Sequence, residues 1–204
     1  MRNLPFKKDE MEQFYRSGDN PWGYSPEYLE VYNYLFSEIE KELPKSLFIL
    51  DLGCGEGFFA NVLLDYFKTR IAYYIGIDIS ETAIKIATEK FSSNQNIFLS
   101  IEDFEQSDNW TKYLEDVNFV IANESLYYCN RPKTVVAKLN DNMVAGSHLM
   151  IADSIVRYTT RESPHREFDF ELVKKILHNS CFIDGHRWSL KAFLTRKVEK
   201  KESK

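Results

Sequence analysis

Hydrophobic positions along this chain switch repeatedly between a helical period and short unbroken runs. In residues 25–43 the apolar side chains Leu29, Tyr32, Leu35, Phe36 and Ile39 recur at helical spacing, and the segment stops before Pro44. Residues 47–51, LFILD, form a continuous apolar run, as a strand buried on both faces requires. A glycine-rich turn follows, then the apolar helical stretch FFANVLLDYF. Residues 72–78 read as a second buried strand, and Ser80 is placed to cap a helix whose apolar face carries Ala83, Ile84 and Ala87. Further strands are predicted over 96–101, 117–122 and 147–153, with a helix over 131–141 that leads into a turn at Gly146. The last segment reads as a helix over 167–179 followed by strands over 181–187 and 190–198, joined tightly at Trp188-Ser189.

Strands that alternate with helices argue for a parallel sheet covered on both faces. The closing strands have no helix between them, so they must pair antiparallel. The predicted fold is α/β: a Rossmann-like, seven-stranded mixed sheet with helices on both faces and an antiparallel last strand. No internal repeat, low-complexity tract or linker divides the sequence. One domain over 1–204 is expected, with 1–43 as an N-terminal helical lid. Ligands of such sheets bind at the carboxyl ends of the strands, near the point where strand order reverses. The chemistry is therefore sought just after residues 51, 78, 101, 122 and 153.

Composition narrows the partners. Among 204 residues, 26 Lys and Arg face 31 Asp and Glu, a formal net charge of -5. That acidic balance argues against nucleic acid as partner. Aromatic residues reach 15%, which excludes a disordered chain. No run of about 18 apolar residues exists, so no membrane span is expected. The first residues, MRNLPFKKDEMEQFYRSGD, lack the apolar stretch of a secretory signal. Cys54, Cys129 and Cys181 are far apart, odd in number and without a CxxC pair, the pattern of reduced thiols in a cytoplasmic protein.

The first strand runs into Asp51-Leu52-Gly53-Cys54-Gly55-Glu56-Gly57, and the second into Gly76-Ile77-Asp78-Ile79-Ser80. Glycines let a ligand approach the backbone, and a carboxylate ending a strand can accept both hydroxyls of a ribose. A dinucleotide site needs G-x-G-x-x-G, but Phe58 stands where its third glycine belongs. Glu56 sits where a pyrophosphate would approach the helix N-terminus and would repel it. A ligand with a ribose diol and an ammonium but no phosphate suits this loop: S-adenosylmethionine (SAM). A plain tight turn would leave Asp78 unexplained.

With these segments in place, ILDLGCGEG and GIDIS resemble the class I SAM-dependent methyltransferases over residues 25–198. A second layer, FYRSGDNPWGYSPEYLEVYNYL upstream and NESLYYC after the fourth strand, resembles the NodS-like methyltransferases, whose namesake N-methylates the free amine of a deacetylated chitin oligosaccharide. Asn20 departs from that group, which usually has Asp before the Pro-Trp pair. The resemblance implies that Gly53, Cys54, Gly55 and Gly57 cradle the methionine part of SAM, that Asp78 with Ile79 holds the ribose, and that Glu102, Asp103 and Phe104 bracket the adenine. Glu102 and Asp103 can equally be solvated loop carboxylates. Asp51 is expected to organise the loop and the SAM ammonium, with Asn123 lining the same pocket.

Methyl transfer displaces a leaving group that is already activated, so the protein mainly aligns the reactants and excludes water. The segment 10–28 is the candidate cover. Trp22, Phe14, Tyr15 and Tyr24 can wall a sulfonium, which aromatic faces attract; Trp22 can equally anchor the first helix. Tyr15 and Tyr24, with Tyr127 and Asp153, are also candidates for the acceptor pocket. Asn123-Glu124-Ser125-Leu126-Tyr127-Tyr128 lacks the two prolines of the N-P-P-Y segment in enzymes that methylate DNA amino groups. Glu124 is a candidate base for a substrate amine, or a carboxylate that caps a helix or closes a salt bridge. Tyr128 and His165 are further catalytic candidates, and both residue types also occur as ordinary half-buried or solvated side chains. No carboxylate cluster suggests a metal. The expected activity is SAM-dependent methylation of a small acceptor, with an amino sugar-like nitrogen leading. A small-molecule O-methyltransferase, an RNA or protein methyltransferase, and a SAM-binding protein without catalysis remain alternatives.

Overall fold

The computed structural model describes residues 8–18, 21–154, 167–183 and 186–199. In chain order they form α1 (Lys8–Arg16), α2 (Pro26–Ile39), β1 (Leu47–Leu52), α3 (Phe58–Phe67), β2 (Ile71–Asp78), α4 (Glu81–Lys90), β3 (Ile97–Ile101), β4 (Phe119–Asn123), α5 (Pro132–Asn142), β5 (His148–Ser154), β6 (Phe170–Ile183) and β7 (His186–Lys197). The strands make one seven-stranded sheet in the order β3-β2-β1-β4-β5-β7-β6. The pairings among β1 to β5 are parallel, and β7 runs antiparallel to both β5 and β6. Strand order reverses between β1 and β4, which places the switch point beside Asp51 and Asn123.

Strand side chains alternate between faces, and the core divides accordingly. Leu47, Ile49, Tyr74, Phe119, Ile121, Met150 and Ala152 pack beneath α2, α3 and α4. Leu50, Leu52, Ile75, Ile77, Val120, Ala122, Leu149 and Ile151 pack against Trp110, Leu114 and α5. Pro26 opens α2 with a φ already suited to a helix. Ser80 caps α4 as its sequence position suggests, its Oγ accepting the Ala83 amide at 3.1 Å.

The tail corrects the sequence reading. Of the residues predicted as a helix over 167–179, those from Phe170 onward belong to β6, and Trp188 and Ser189 lie inside β7, opposite Cys181 and Asn179. The physical reason is a bulge. Leu172 pairs with Thr195 and Lys174 with Leu194, so Val173 is an extra residue. The bulge moves later side chains to the other face: Phe170 packs in the α5 layer and Ile176 in the α2 layer. Broken alternation in a Glu-, Leu- and Lys-rich segment imitates a helical period, and the ladder with β7 overrides that local preference.

Gly57, the N-cap of α3, has φ 77°, and a Cβ there would lie 2.5 Å from the Phe91 ring. Gly57→Ala is expected to cost about 2–4 kcal/mol, combining left-handed strain with overpacking of a helix contact. Urea denaturation measures it, and a loss below about 1 kcal/mol would show that Phe91 relaxes freely.

Candidate functional site

β1 delivers Asp51 to the switch point as a fully buried carboxylate, and Tyr74 from β2 donates its hydroxyl to Asp51 Oδ2 at 2.6 Å. Burial pushes the Asp51 carboxyl up to about 7; the Tyr74 hydrogen bond works against that rise and the nearby Asp78 charge adds to it. The loop beyond β1 is drawn back onto β2, where the Gly53 and Cys54 amides donate to the Ile77 carbonyl at 2.8 and 3.0 Å. At the end of β2, Asp78 accepts the Gly55 amide on Oδ2 and the Ser80 amide on Oδ1, each at 2.9 Å. Burial raises Asp78 to about 6, while backbone N–H groups of Ser80, Gly55 and Ile79 pull it down. The carboxylate keeps acceptor capacity beyond these N–H groups for a ligand hydroxyl.

The N-terminal segment covers this edge. α1 docks on α4: Met11, Tyr15 and Ala83 form a small core with Trp22, Ile79 and Tyr128. Glu12 fixes the docking, accepting from Ser80 Oγ at 2.6 Å, from Thr82 Oγ1, and from the Thr82 amide at 3.3 Å. Partial burial opposes its ionisation, but these bonds and Arg16 together hold the Glu12 carboxyl down at about 2. The Tyr15 hydroxyl lies directly over Gly55, only 2.6 Å from where a Cβ would stand. At φ 56° the loop needs glycine there, and any side chain would collide with the cover. Trp22 packs on Phe14, Tyr128 and Tyr15 at ring separations of 4.3, 5.7 and 6.0 Å. Tyr24 stacks on Phe58 at 4.0 Å with the rings 3° from parallel. Phe58, at the position of the missing dinucleotide glycine, is thus a platform for the cover.

After β4, Glu124 stands in the left-handed region at φ 52°, which side chains other than glycine rarely adopt. Its amide is held by the Ala152 carbonyl at 2.7 Å, and its Oε2 accepts the Tyr127 hydroxyl at 2.7 Å. Burial, then the Glu124 charge, push the Tyr127 hydroxyl far above its ordinary range. The neighbour Asn123 is buried and donates from Nδ2 to Tyr32 Oη at 3.1 Å.

Asp51, Gly53, Cys54, Gly55, Gly57, Asp78, Ile79, Asn123, Glu124, Tyr15, Trp22, Tyr24, Tyr127 and Tyr128 thus gather around one edge. Phe104 joins them, its ring 3.7 Å from the Cβ position of Gly53. The Glu102 amide donates to the Asp78 carbonyl at 2.8 Å, so the segment after β3 borders the same end. Asp103 turns inward on its own loop, its Oδ1 accepting the amides of Glu105 and Gln106. Asp153 is buried on the opposite face, in register with Leu149 and Ile151, where its charge is felt by Cys129. His165 lies outside the described residues. Among the described residues, no group of three or more His, Cys, Asp and Glu side chains is placed to hold a metal ion. No described helix is long and apolar enough to cross a membrane. The sequence reading missed Tyr32, Tyr74 and Glu12. The tyrosines read as core positions, and their only signal was a polar tip on an otherwise apolar stripe.

The sheet order, the glycine loop and the buried carboxylates at β1 and β2 are those of the class I methyltransferase fold. Residues 43–193 match the family model described as a methyltransferase domain, and the chain belongs to that family. Over 171 residues it is 26% identical to a malonyl-[acyl-carrier protein] O-methyltransferase of Acetivibrio thermocellus, an alignment that covers 84% of this chain and 56% of that protein. The chain spans about half the length of the curated relatives it matches. Among solved structures it resembles the N-methyltransferase NodS of Bradyrhizobium japonicum in complex with S-adenosylhomocysteine, with TM-score 0.73, 17% identity, and coverage of 94% of this chain and 98% of that one. It also resembles magnesium protoporphyrin IX methyltransferase of Synechocystis with bound SAM, with TM-score 0.66, 16% identity, and coverage of 96% and 100%.

The residues present fit SAM. Buried carboxylates at Asp51 and Asp78 suit an ammonium and a diol. A pH dependence follows. Both carboxyls lie above their ordinary value of 3.8, and a ligand cation or hydroxyl favours the ionised form. S-adenosylhomocysteine affinity is therefore expected to rise through about pH 6 to 7 and level off above, with protons released on binding in that window. Calorimetry in two buffers of different ionisation enthalpy measures it. For stability the sign is opposite: a raised carboxyl stabilises fully below its unfolded value and loses that contribution as pH climbs through 6 and 7. The melting advantage of Asp51→Asn over wild type should therefore grow from pH 5 to pH 8.

Proposed function

We propose that this protein transfers the methyl group of SAM to the nitrogen of a small amine, with an amino sugar or a related amine as the leading acceptor. The observation that carries this reading is Glu124, a carboxylate held in a left-handed backbone at the carboxyl end of β4 and hydrogen-bonded by Tyr127. Backbone strain of this kind persists where the surroundings enforce it, and it concentrates at functional sites.

SAM brings the methyl on a sulfonium, so the leaving group needs no acid. The chain's own residues do the rest. Asp78 and Ile79 hold the ribose, Phe104 lies against the adenine, and Asp51 with Asn123 faces the amino-acid end. Trp22, Tyr15 and Tyr24 wall the reaction zone and exclude water, as a lid formed by the N-terminal segment of a single domain. Glu124 orients the acceptor amine and takes its proton as the nitrogen's lone pair bonds to the methyl carbon and the carbon–sulfur bond breaks. Tyr127 fixes the carboxylate and, with Tyr128, offers aromatic faces to a sugar ring.

NodS, described as an N-methyltransferase, supports nitrogen as the acceptor atom. The relative described as a malonyl-[acyl-carrier protein] O-methyltransferase supports a second reading, methylation of oxygen. The deciding experiment supplies radiolabelled SAM with a panel of amino sugars, simple primary amines, sugar alcohols and malonyl thioesters. Base-stable label on an amine is expected. Base-labile methyl ester on the malonyl group, with no amine product, would overturn the nitrogen assignment.

A further inference from the structure

Tyr32 lies in the middle of α2 and is completely buried. Its ring belongs to the core, but its hydroxyl reaches the switch point. Alternation puts Asn123 on the same sheet face as Phe119 and Ile121, which is the face α2 covers. There the Asn123 amide donates from Nδ2 to Tyr32 Oη at 3.1 Å. The other end of the amide, Oδ1, is buried with no hydrogen-bond partner among the described residues. Asn123 as a whole is only 8% exposed. A buried polar atom left unpaired is costly, and such atoms mark a ligand or a strain reservoir.

Which end of an amide faces a ligand decides what it recognises. Nδ2 offers only N–H donors, and Oδ1 only lone pairs. The surroundings of Tyr32 settle the choice. After burial itself, the Glu124 charge is the strongest influence on this hydroxyl, and Asp51 also acts on it. Both charges oppose ionisation of the phenol, so its oxygen meets the Asn123 amide as a neutral acceptor. Tyr32 receives Nδ2, which leaves Oδ1 as the amide's buried acceptor with no partner among the described residues.

We infer that Tyr32 is a positioning residue. It locks the Asn123 amide so that the carbonyl oxygen accepts an N–H from an amino group, and the group it meets is the α-amino group at the amino-acid end of the cofactor. The inference rests on the SAM reading of the loop and adds to it a side-chain reader for the ammonium, held from α2.

The test compares two ligands by calorimetry on the full chain. S-adenosylhomocysteine carries the amino acid, whereas 5′-methylthioadenosine keeps the adenosine and the sulfur without it. Tyr32→Phe removes only the hydroxyl. Binding of S-adenosylhomocysteine is expected to weaken about tenfold, the scale of one hydrogen bond to a charged group, while 5′-methylthioadenosine changes by less than about twofold. A merely structural role would weaken both ligands alike, and that result, or no change in either, overturns the assignment. If Tyr32→Phe does not fold, Asn123→Leu must give the same selective loss, since it keeps the volume and removes the acceptor. Asn123→Asp, which carries an acceptor on both sides, should retain S-adenosylhomocysteine binding. Absence of S-adenosylhomocysteine binding by the wild type would overturn the cofactor reading along with this one.

Discussion

Replacing Asp78 by alanine is expected to weaken S-adenosylhomocysteine binding at least about a hundredfold, the sum of two hydrogen bonds between ribose hydroxyls and a buried carboxylate. The geometry adds a second loss to the first. Asp78 also accepts the Gly55 and Ser80 amides, so its removal frees the glycine loop and the start of α4 together. Asp78→Asn separates the two effects. An amide keeps one acceptor but turns two N–H groups toward backbone N–H groups or the ribose, so it should bind about tenfold more weakly than wild type at least. Both variants lose a carboxyl that burial raises to about 6, which offsets part of the structural cost at neutral pH. Calorimetry at pH 7.5 reads the affinity, and circular dichroism confirms the fold. An alanine variant that binds within a few-fold of wild type would sink the ribose assignment.

Much of this site is legible in the sequence, because its chemistry lies in local segments. Asp51, the glycines and Asp78 each follow a continuous apolar run, and two buried parallel strands bring their carboxyl ends together whatever the rest of the chain does. Ser80 reads as a cap for the same reason: an N-cap needs only its own helix. What escapes a reading of the sequence is long-range or out of phase. The Val173 bulge moves half of β6 to the other face, so alternation fails just where it should reveal a strand. Tyr32 and Asn123 are 91 positions apart, and no spacing rule joins them. Glu12 reads as one carboxylate among many on a charged helix, and its hold on Ser80 and Thr82 exists only once α1 lies on α4. Asp153 shows what parity adds. A residue that ends a strand points to either face according to parity, and its parity turns it to the α5 layer.

Glu124→Gln should separate an amine acceptor from a carboxylate acceptor on the same scaffold. The substitution preserves shape and length and removes only the charge and the basic site. With an amine acceptor, turnover is expected to fall about 10²- to 10³-fold, within the range that a positioned general base contributes. S-adenosylhomocysteine affinity should stay within about twofold, since Glu124 addresses the acceptor rather than the cofactor. The pH dependence adds a second reading. A neutral amine must lose its proton before or during transfer, so wild-type turnover rises with pH until the carboxylate and the free amine are both available. In the glutamine variant the rate should depend on the amine's own ionisation alone and recover partly at high pH. Tyr127→Phe removes the hydroxyl 2.7 Å from Glu124 Oε2 and should raise the acceptor KM about five- to tenfold while leaving the cofactor bound. A carboxylate acceptor predicts the reverse of the main result. Glu124 would then repel the substrate, and Glu124→Gln would raise kcat/KM for it. The sign of one substitution therefore decides between an amine and an acid as the group that meets the methyl.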